Sequence, residues 1–282
     1  MTKNQFLTNA EAIRIKAQVP DGKHSYFTLW ASRLYRSCEI FNLFSRRLGE
    51  VLEIGPYFGY TPFALRKQAS SYTVIEGDDP YSYSLVPIYK AADIAVSYVD
   101  LFEIFGPIHT AMHALPASDS SYDTILCWET MEHFCFNPVK FVRELHRVLK
   151  PSGEVCITVP NRASFQAIYS LVFGRGQEIA LDAYFSHENY ESNGKKAYYG
   201  FHWREYTPLE LTALFKKAGF EVQVCRSFTV FQDHVNLSFG RKMARLLSMC
   251  FSALLNRFGT NVYLIATKRK SPNENRQIQT IP

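Results

Sequence analysis

Residues 50–61 read Glu-Val-Leu-Glu-Ile-Gly-Pro-Tyr-Phe-Gly-Tyr-Thr, an apolar run with a carboxylate, Glu53, near its end and a turn bounded by Gly55 and Gly59. Glycine adopts backbone conformations closed to other residues, so such a turn can bend sharply and pass close to a ligand. No Gly-Lys-Ser/Thr ending follows, as a phosphate-cradling loop requires, and Tyr57 stands where a dinucleotide-binding loop has its middle glycine. Glu53 would repel a pyrophosphate and attract an ammonium or a pair of hydroxyls. Further along come Glu76, Asp100, the cluster Glu129-Thr-Met-Glu132-His133, and His202-Trp-Arg204-Glu205-Tyr206. Carboxylates and imidazoles in that number suit a polar, uncharged or zwitterionic ligand and proton transfer at a hydroxyl.

A zwitterionic nucleoside such as S-adenosylmethionine fits the turn, and the chain resembles the class I S-adenosylmethionine-dependent methyltransferases. Their first motif reads Val-Leu-Glu-Ile-Gly-x-Gly-x-Gly, which residues 51–59 match except at Tyr57. The likeness continues in order through Tyr72–Glu76, Leu115–Asp123, Glu129–His133 and Glu144–Gly153. It implies a Rossmann-like α/β three-layer sandwich around a seven-stranded, mostly parallel sheet whose last strand is antiparallel. It also implies S-adenosylmethionine as cofactor, held by Glu53, Gly55, Tyr57 and Gly59 at the methionine end and by Glu76 at the ribose. Asp100 is the expected adenine-facing acid, with Met112-His113-Ala114 as the alternative register. Trp128, just past a strand, faces either cofactor or acceptor. A bulky residue at position 57 is expected to change the turn locally.

Methyl transfer needs little from the protein beyond position, because the sulfonium already activates the methyl. An acceptor hydroxyl needs a base, and His133 and His202 are the two candidates. Glu132, Arg204 and Tyr206 are expected to grip the acceptor. Glu129, Glu132 and His133 together also hint at a metal, but the Asp-Asp-Asn set of metal-dependent catechol methyltransferases is missing, so none is expected. The segment Tyr199-Gly-Phe-His-Trp-Arg-Glu-Tyr-Thr207 resembles a bacterial subgroup found with polysaccharide and glycolipid assembly. It implies O-methylation of a sugar or another small or glycan-linked acceptor. Two alternatives stay open: a lipid or quinone methyltransferase at the membrane surface, and a non-catalytic binding partner with this fold.

These groups must be set at the ends of strands. Strands are expected at 50–54, 72–76, 94–99, 124–127, 155–159, 220–226 and 262–267, alternating with helices near 61–69, 81–91, 138–149 and 208–218. Residues 1–48 read as a helical cap, 49–159 as the cofactor-binding core, 160–206 as an insertion over the acceptor site, 207–270 as the completion of the core, and 271–282 as a disordered tail. Residues 237–258 are apolar on one side and carry Arg241, Lys242, Arg245 and Arg257. That pattern fits a helix covering the core, a homodimer face or a peripheral membrane contact.

With 282 residues, one α/β domain with additions is expected. Six cysteines without a Cys-x-x-Cys pair argue against a disulfide framework or a zinc knuckle. The net charge of +5 is scattered, which speaks against nucleic acid as partner, as does Cys127-Trp-Glu-Thr130 where a base-flipping enzyme would carry Asn/Asp-Pro-Pro-Tyr/Phe. Without a signal core or a membrane-length apolar run, a cytoplasmic location is expected. Aromatic residues make up 15% of the chain, and their clusters at 26–44, 81–89 and 184–206 fall outside the expected strands.

Overall fold

The computed structural model describes residues 1–17, 24–57, 59–77, 83–106, 114–174, 191–192, 195–196, 201–229 and 257–268. The expected amphipathic segment up to residue 256, the tail, and residues 175–190, 193–194 and 197–200 of the expected insertion lie outside the described residues. Among those described, seven strands form one sheet: β1 (Gly49–Ile54), β2 (Ala69–Glu76), β3 (Ala95–Tyr98), β4 (Tyr122–Trp128), β5 (Leu149–Pro160), β6 (Phe220–Phe228) and β7 (Asn261–Lys268). Their order is 3-2-1-4-5-7-6. The five strands β3, β2, β1, β4 and β5 pair in parallel, while β7 runs antiparallel to both β5 and β6. This is the expected seven-stranded Rossmann-like sheet. A two-residue strand pair, Glu191–Ser192 with Lys195–Lys196, stands apart from it.

The central strands are apolar on both faces, as a sheet covered on two sides requires. On one face, Val51, Tyr72, Val74, Leu126, Trp128 and Cys156 pack with Phe6, Leu34, Cys38 and Phe41 from α1 (Lys3–Lys16), α2 (His24–Ile40) and the turn after it. On the other, Leu52, Ile54, Ile75, Ile125, Cys127, Val155 and Ile157 meet Phe141, Leu145 and Val148 of α6 (Pro138–Val148) and Leu211 and Phe215 of α8 (Pro208–Lys217). The remaining helices are α3 (Tyr60–Leu65), α4 (Val86–Ala91), α5 (Leu101–Phe105) and α7 (Phe165–Val172).

Local signals set the helix ends. Asn137 accepts from the backbone N–H of Val139 at 3.0 Å with Pro138 as the first helical residue, and Thr207 with Glu210 closes a capping box. Within the helical cap expected over residues 1–48, α2 stops at Ile40, and Asn42 soon after takes a left-handed φ of 54°. α5 and α7 were not expected from periodicity, being one or two turns long. β5 starts earlier than its apolar run: Leu149 pairs with Tyr122 and the register shifts before Thr124 meets Glu154. Pro151 and Gly153 therefore belong to a bulge within the strand, not to a turn before it.

Of the described cysteines, Cys38, Cys127 and Cys156 are buried free thiols. No described helix is long and apolar enough to cross a membrane. Leu126 is fully buried at the centre of the sheet, beside Glu53 of β1 and Cys156 of β5. Replacing it with alanine is expected to destabilise the fold by about 2–5 kcal/mol, read as a lowered urea midpoint with an unchanged m-value.

Candidate active site

The strand order reverses between β1 and β4, and open parallel sheets bind ligands beyond the carboxyl ends of the strands at such a switch point. Register puts the relevant ends side by side. Ile54 lies opposite Ile75 and Cys127, and Glu76 lies opposite Tyr98. The Gly55 N–H donates to the Ile75 carbonyl at 2.8 Å, so the turn leaves β1 beside Glu76.

Among the described residues of that turn, three are left-handed: Gly55 at φ 66°, Tyr57 at 47° and Gly59 at 70°. Tyr57 was expected to reshape the turn, yet it adopts the glycine-like φ, at a cost of about 1–2 kcal/mol. Burial explains why the structure tolerates this, since Pro56 beside it is buried and Tyr57 itself packs on the core formed with α1 to α3. At Gly55 a Cβ would lie 2.8 Å from the Thr130 hydroxyl oxygen. At Gly59, which caps α3, it would lie 3.0 Å from the Tyr89 hydroxyl oxygen. Both glycines are thus required by packing as well as by φ.

Glu53 is buried completely on the α3 side of β1, where its carboxylate accepts from the hydroxyls of Thr61 and Tyr72. Burial pushes its carboxyl up to about 7, against the lowering effect of those hydrogen bonds. Glu53 therefore holds the start of α3 against β1 and β2. Trp128 is also buried on this face, its ring 5.1 Å from that of Phe41.

The other carboxylates sit at the rim. Glu76 ends β2 and is 3% exposed. Among the described residues, no atom lies within 4 Å of a Cβ built on Gly77, which leaves room next to Glu76. Asp100 caps α5 through Oδ1, which accepts from the N–H groups of Phe102 at 2.9 Å and Glu103 at 3.4 Å. An aspartate before a short apolar run is an N-cap signal, and that role is legible at this position beside the adenine one. The set offered along the rim, left-handed turn, Glu76 and Asp100, matches a ligand with a hydroxyl pair and a cationic end.

The second half of the site lies past β4. Glu129, at φ 46° and buried, accepts through Oε2 from Arg33 Nη1 at 3.0 Å and Asn261 Nδ2 at 2.8 Å, tying α2 and β7 over the end of β4. Glu132 and His133 follow in the 3₁₀ turn Met131–His133. The returning end of the insertion is stitched to this turn: the N–H groups of Trp203 and Arg204 donate to the Glu132 carbonyl at 2.7 and 3.2 Å, and His133 Nδ1 lies 2.9 Å from the Phe201 carbonyl. His202 is thereby brought to His133, with ring centroids 5.1 Å apart, and its Nδ1 lies 3.0 Å from Glu205.

Burial and the neighbouring His202 push the His133 imidazole down to about 4, so it is neutral at pH 7. Burial, reinforced by Glu129, raises the Glu132 carboxyl well above the usual range. Tyr206 is buried, which raises its phenol to about 12, and Arg204 lies over its ring at 5.5 Å while reaching Glu210 at 3.2 Å. All five acceptor-side residues singled out in the sequence thus fall in one region. Sequence reasoning missed the partners that position the site: Thr61, Tyr72, Arg33, Asn261 and Phe201. A buried carboxylate announces that donors must exist, but not which, when Arg33 and Asn261 lie 96 and 132 residues away from Glu129.

A family model described as a methyltransferase domain matches residues 23–223. The chain belongs to this methyltransferase domain family. A probable S-adenosylmethionine-dependent methyltransferase of Mycolicibacterium smegmatis is 30% identical over 115 residues, covering 41% of this chain and 35% of that protein. A Mycobacterium tuberculosis protein of the same description is 30% identical over 115 residues, covering 40% and 32%. The chain thus spans about a third of the length of the curated relatives that it matches. Two solved structures, described as S-adenosylmethionine-dependent methyltransferases of Thermotoga maritima and Mesorhizobium loti, share the fold. They show TM-scores of 0.53 and 0.52, identities of 17% and 12%, and coverage of 92% and 84% of this chain and 99% and 98% of theirs.

The raised carboxyl of Glu53 has a pH consequence. In the folded state it keeps its proton to about 7, whereas the unfolded carboxyl loses it near its ordinary value of about 4.5. The folded state binds more protons in that window, so the contribution of Glu53 to stability is fully present below it and is lost as pH rises to about 7. Glu53→Gln lacks this loss. Its stability relative to wild type is expected to improve by about 2–3 kcal/mol between pH 5 and pH 8, measured by urea unfolding across that range.

Proposed function

We propose that the chain is an S-adenosylmethionine-dependent methyltransferase that methylates an oxygen of a sugar or another small or glycan-linked acceptor. The observation that carries this reading is the left-handed turn Gly55–Gly59 at the switch point, with carboxylates at the next two strand ends. The description of the mycobacterial relatives supports the cofactor.

The cofactor, when bound, supplies a methyl already activated for in-line displacement. The protein's residues do the rest. The turn would place the methionine end beyond β1, with Glu53 acting from behind by fixing α3. Glu76 offers carboxylate oxygens to a ribose diol, and Asp100 flanks the adenine side. On the acceptor side, His133 and His202 each have Nδ1 committed to an oxygen, which leaves Nε2 to meet the proton of an acceptor hydroxyl. Arg204, Tyr206 and the half-exposed Trp203 ring give a rim with hydrogen-bonding groups and an aromatic face, suited to the mixed polar and apolar surface of a sugar.

Calorimetric titration of S-adenosylmethionine and S-adenosylhomocysteine into wild type and Glu76→Ala tests the cofactor site. Micromolar binding by wild type is expected, weakened by about 1–3 kcal/mol in the variant. Absence of binding to wild type would sink the enzyme reading and leave a partner protein that keeps the fold without the chemistry.

A further inference from the structure

The acceptor side brings three potential metal-ligand atoms together. One donor atom each of Glu132, His133 and His202 lie within 4.8 Å of one another. The Phe201 carbonyl can only accept, so His133 Nδ1 carries the hydrogen and its Nε2 presents a lone pair. The Glu205 carboxylate imposes the same tautomer on His202. An oxygen partner on the far ring nitrogen is the arrangement that orients histidine toward a metal.

Glu132 makes the need sharper. It is 1% exposed, its Oε2 has no hydrogen-bond partner among the described residues, and its Oε1 is 3.9 Å from His133 Nε2, too far for a hydrogen bond. The nearby arginine, Arg33, is paired with Glu129 instead. Leaving a buried carboxylate oxygen without a donor is costly, and two imidazole nitrogens stand beside it. A cation satisfies all three at once.

We propose that Glu132, His133 and His202 bind one divalent transition-metal ion of the Zn²⁺, Co²⁺ or Mn²⁺ class. Two imidazoles and one carboxylate favour such ions over Mg²⁺ or Ca²⁺, which take oxygen shells. Small side-chain rotations would bring the donors to the usual shell of about 2.0–2.2 Å. Residue types alone pointed away from a metal because the Asp-Asp-Asn set of metal-dependent catechol methyltransferases is missing; the fold assembles a different set by laying His202 over the 3₁₀ turn.

The role of the ion rests on reading this rim as the acceptor side. Three protein ligands leave coordination positions open, and these suit an acceptor with two neighbouring oxygens, such as a vicinal diol or a hydroxy acid. Metal binding acidifies a bound hydroxyl. The acceptor then releases its proton to solvent, its oxygen forms the new O–C bond as the sulfonium C–S bond breaks, and the cofactor leaves as a neutral thioether. The histidines serve as ligands in this scheme, not as the base.

The test uses full-length protein, free of any histidine tag and stripped with a chelator. ZnCl₂, CoCl₂ and MgCl₂ are titrated calorimetrically into wild type, Glu132→Gln and His202→Ala, with the Co²⁺ visible absorption band as a second readout. His202 is exposed, so that variant keeps the fold even if the buried substitution does not. The expected result is one Zn²⁺ or Co²⁺ per wild-type chain, weaker Mg²⁺ binding, and at least about tenfold loss of affinity in each folded variant. No ion bound by wild type, or wild-type affinity in His202→Ala, overturns the inference. S-adenosylhomocysteine is titrated into the same samples: cofactor binding without ion binding removes only the metal site, and ion binding without cofactor binding removes only the methyltransferase reading.

Discussion

A carboxylate inside an apolar layer is the constraint around which the cofactor half of this protein is arranged. Glu53 stands in the middle of the sheet, and solvent cannot reach it. Its oxygens must therefore be met by protein donors, and the donors come from two different elements, Thr61 at the start of α3 and Tyr72 on β2. Satisfying them fixes how α3 leaves the glycine turn and how β2 sits beside β1. With both ends of the turn held, the chain between them can keep Tyr57 in a conformation that a free peptide would avoid. The backbone of the turn is shaped by a group buried beside it.

The acceptor half follows a similar logic at the end of β4. Glu129 is again a buried carboxylate with donors from distant elements, here α2 and β7. Beyond Thr130, Met131–His133 form a short 3₁₀ turn in which the Glu132 carbonyl and the His133 imidazole receive the returning end of the insertion. The two halves meet at Thr130, whose hydroxyl donates to the Trp128 carbonyl at 2.9 Å and occupies the space that a side chain at Gly55 would need. A shift of the turn on one side is thus felt on the other through a single threonine.

What the sequence disclosed, and what it withheld, divides along physical lines. The parallel strands were legible because both of their faces are buried, so Val51–Ile54 and Ile125–Cys127 read as unbroken apolar runs. Helix ends at Asn137 and Thr207 were legible because capping is local chemistry. The break at Asn42 was overlooked because the apolar spacing runs on through Phe41 and Phe44, although asparagine takes the left-handed conformation more readily than most residues. The positions of Glu76, Asp100 and His133 followed from strand ends, whereas the inward turn of Glu53 and Trp128 required the strand's facing to be known. The meeting of His202 with His133 depends on backbone hydrogen bonds from Trp203 and Arg204, which leave no trace in composition or spacing.

The placement of β7 bears on how such a sheet is completed. β7 is the last strand in sequence among those described, yet it lies between β5 and β6 and pairs with both along most of its length. Until residues 261–268 are available, β5 has an open edge and β6 has no neighbour in the sheet. Until β7 joins, the open edge of β5 is a template for stray pairing. Closure is a late, long-range event, and the same strand that performs it delivers Asn261 to Glu129. The acceptor side is finished only when the sheet is.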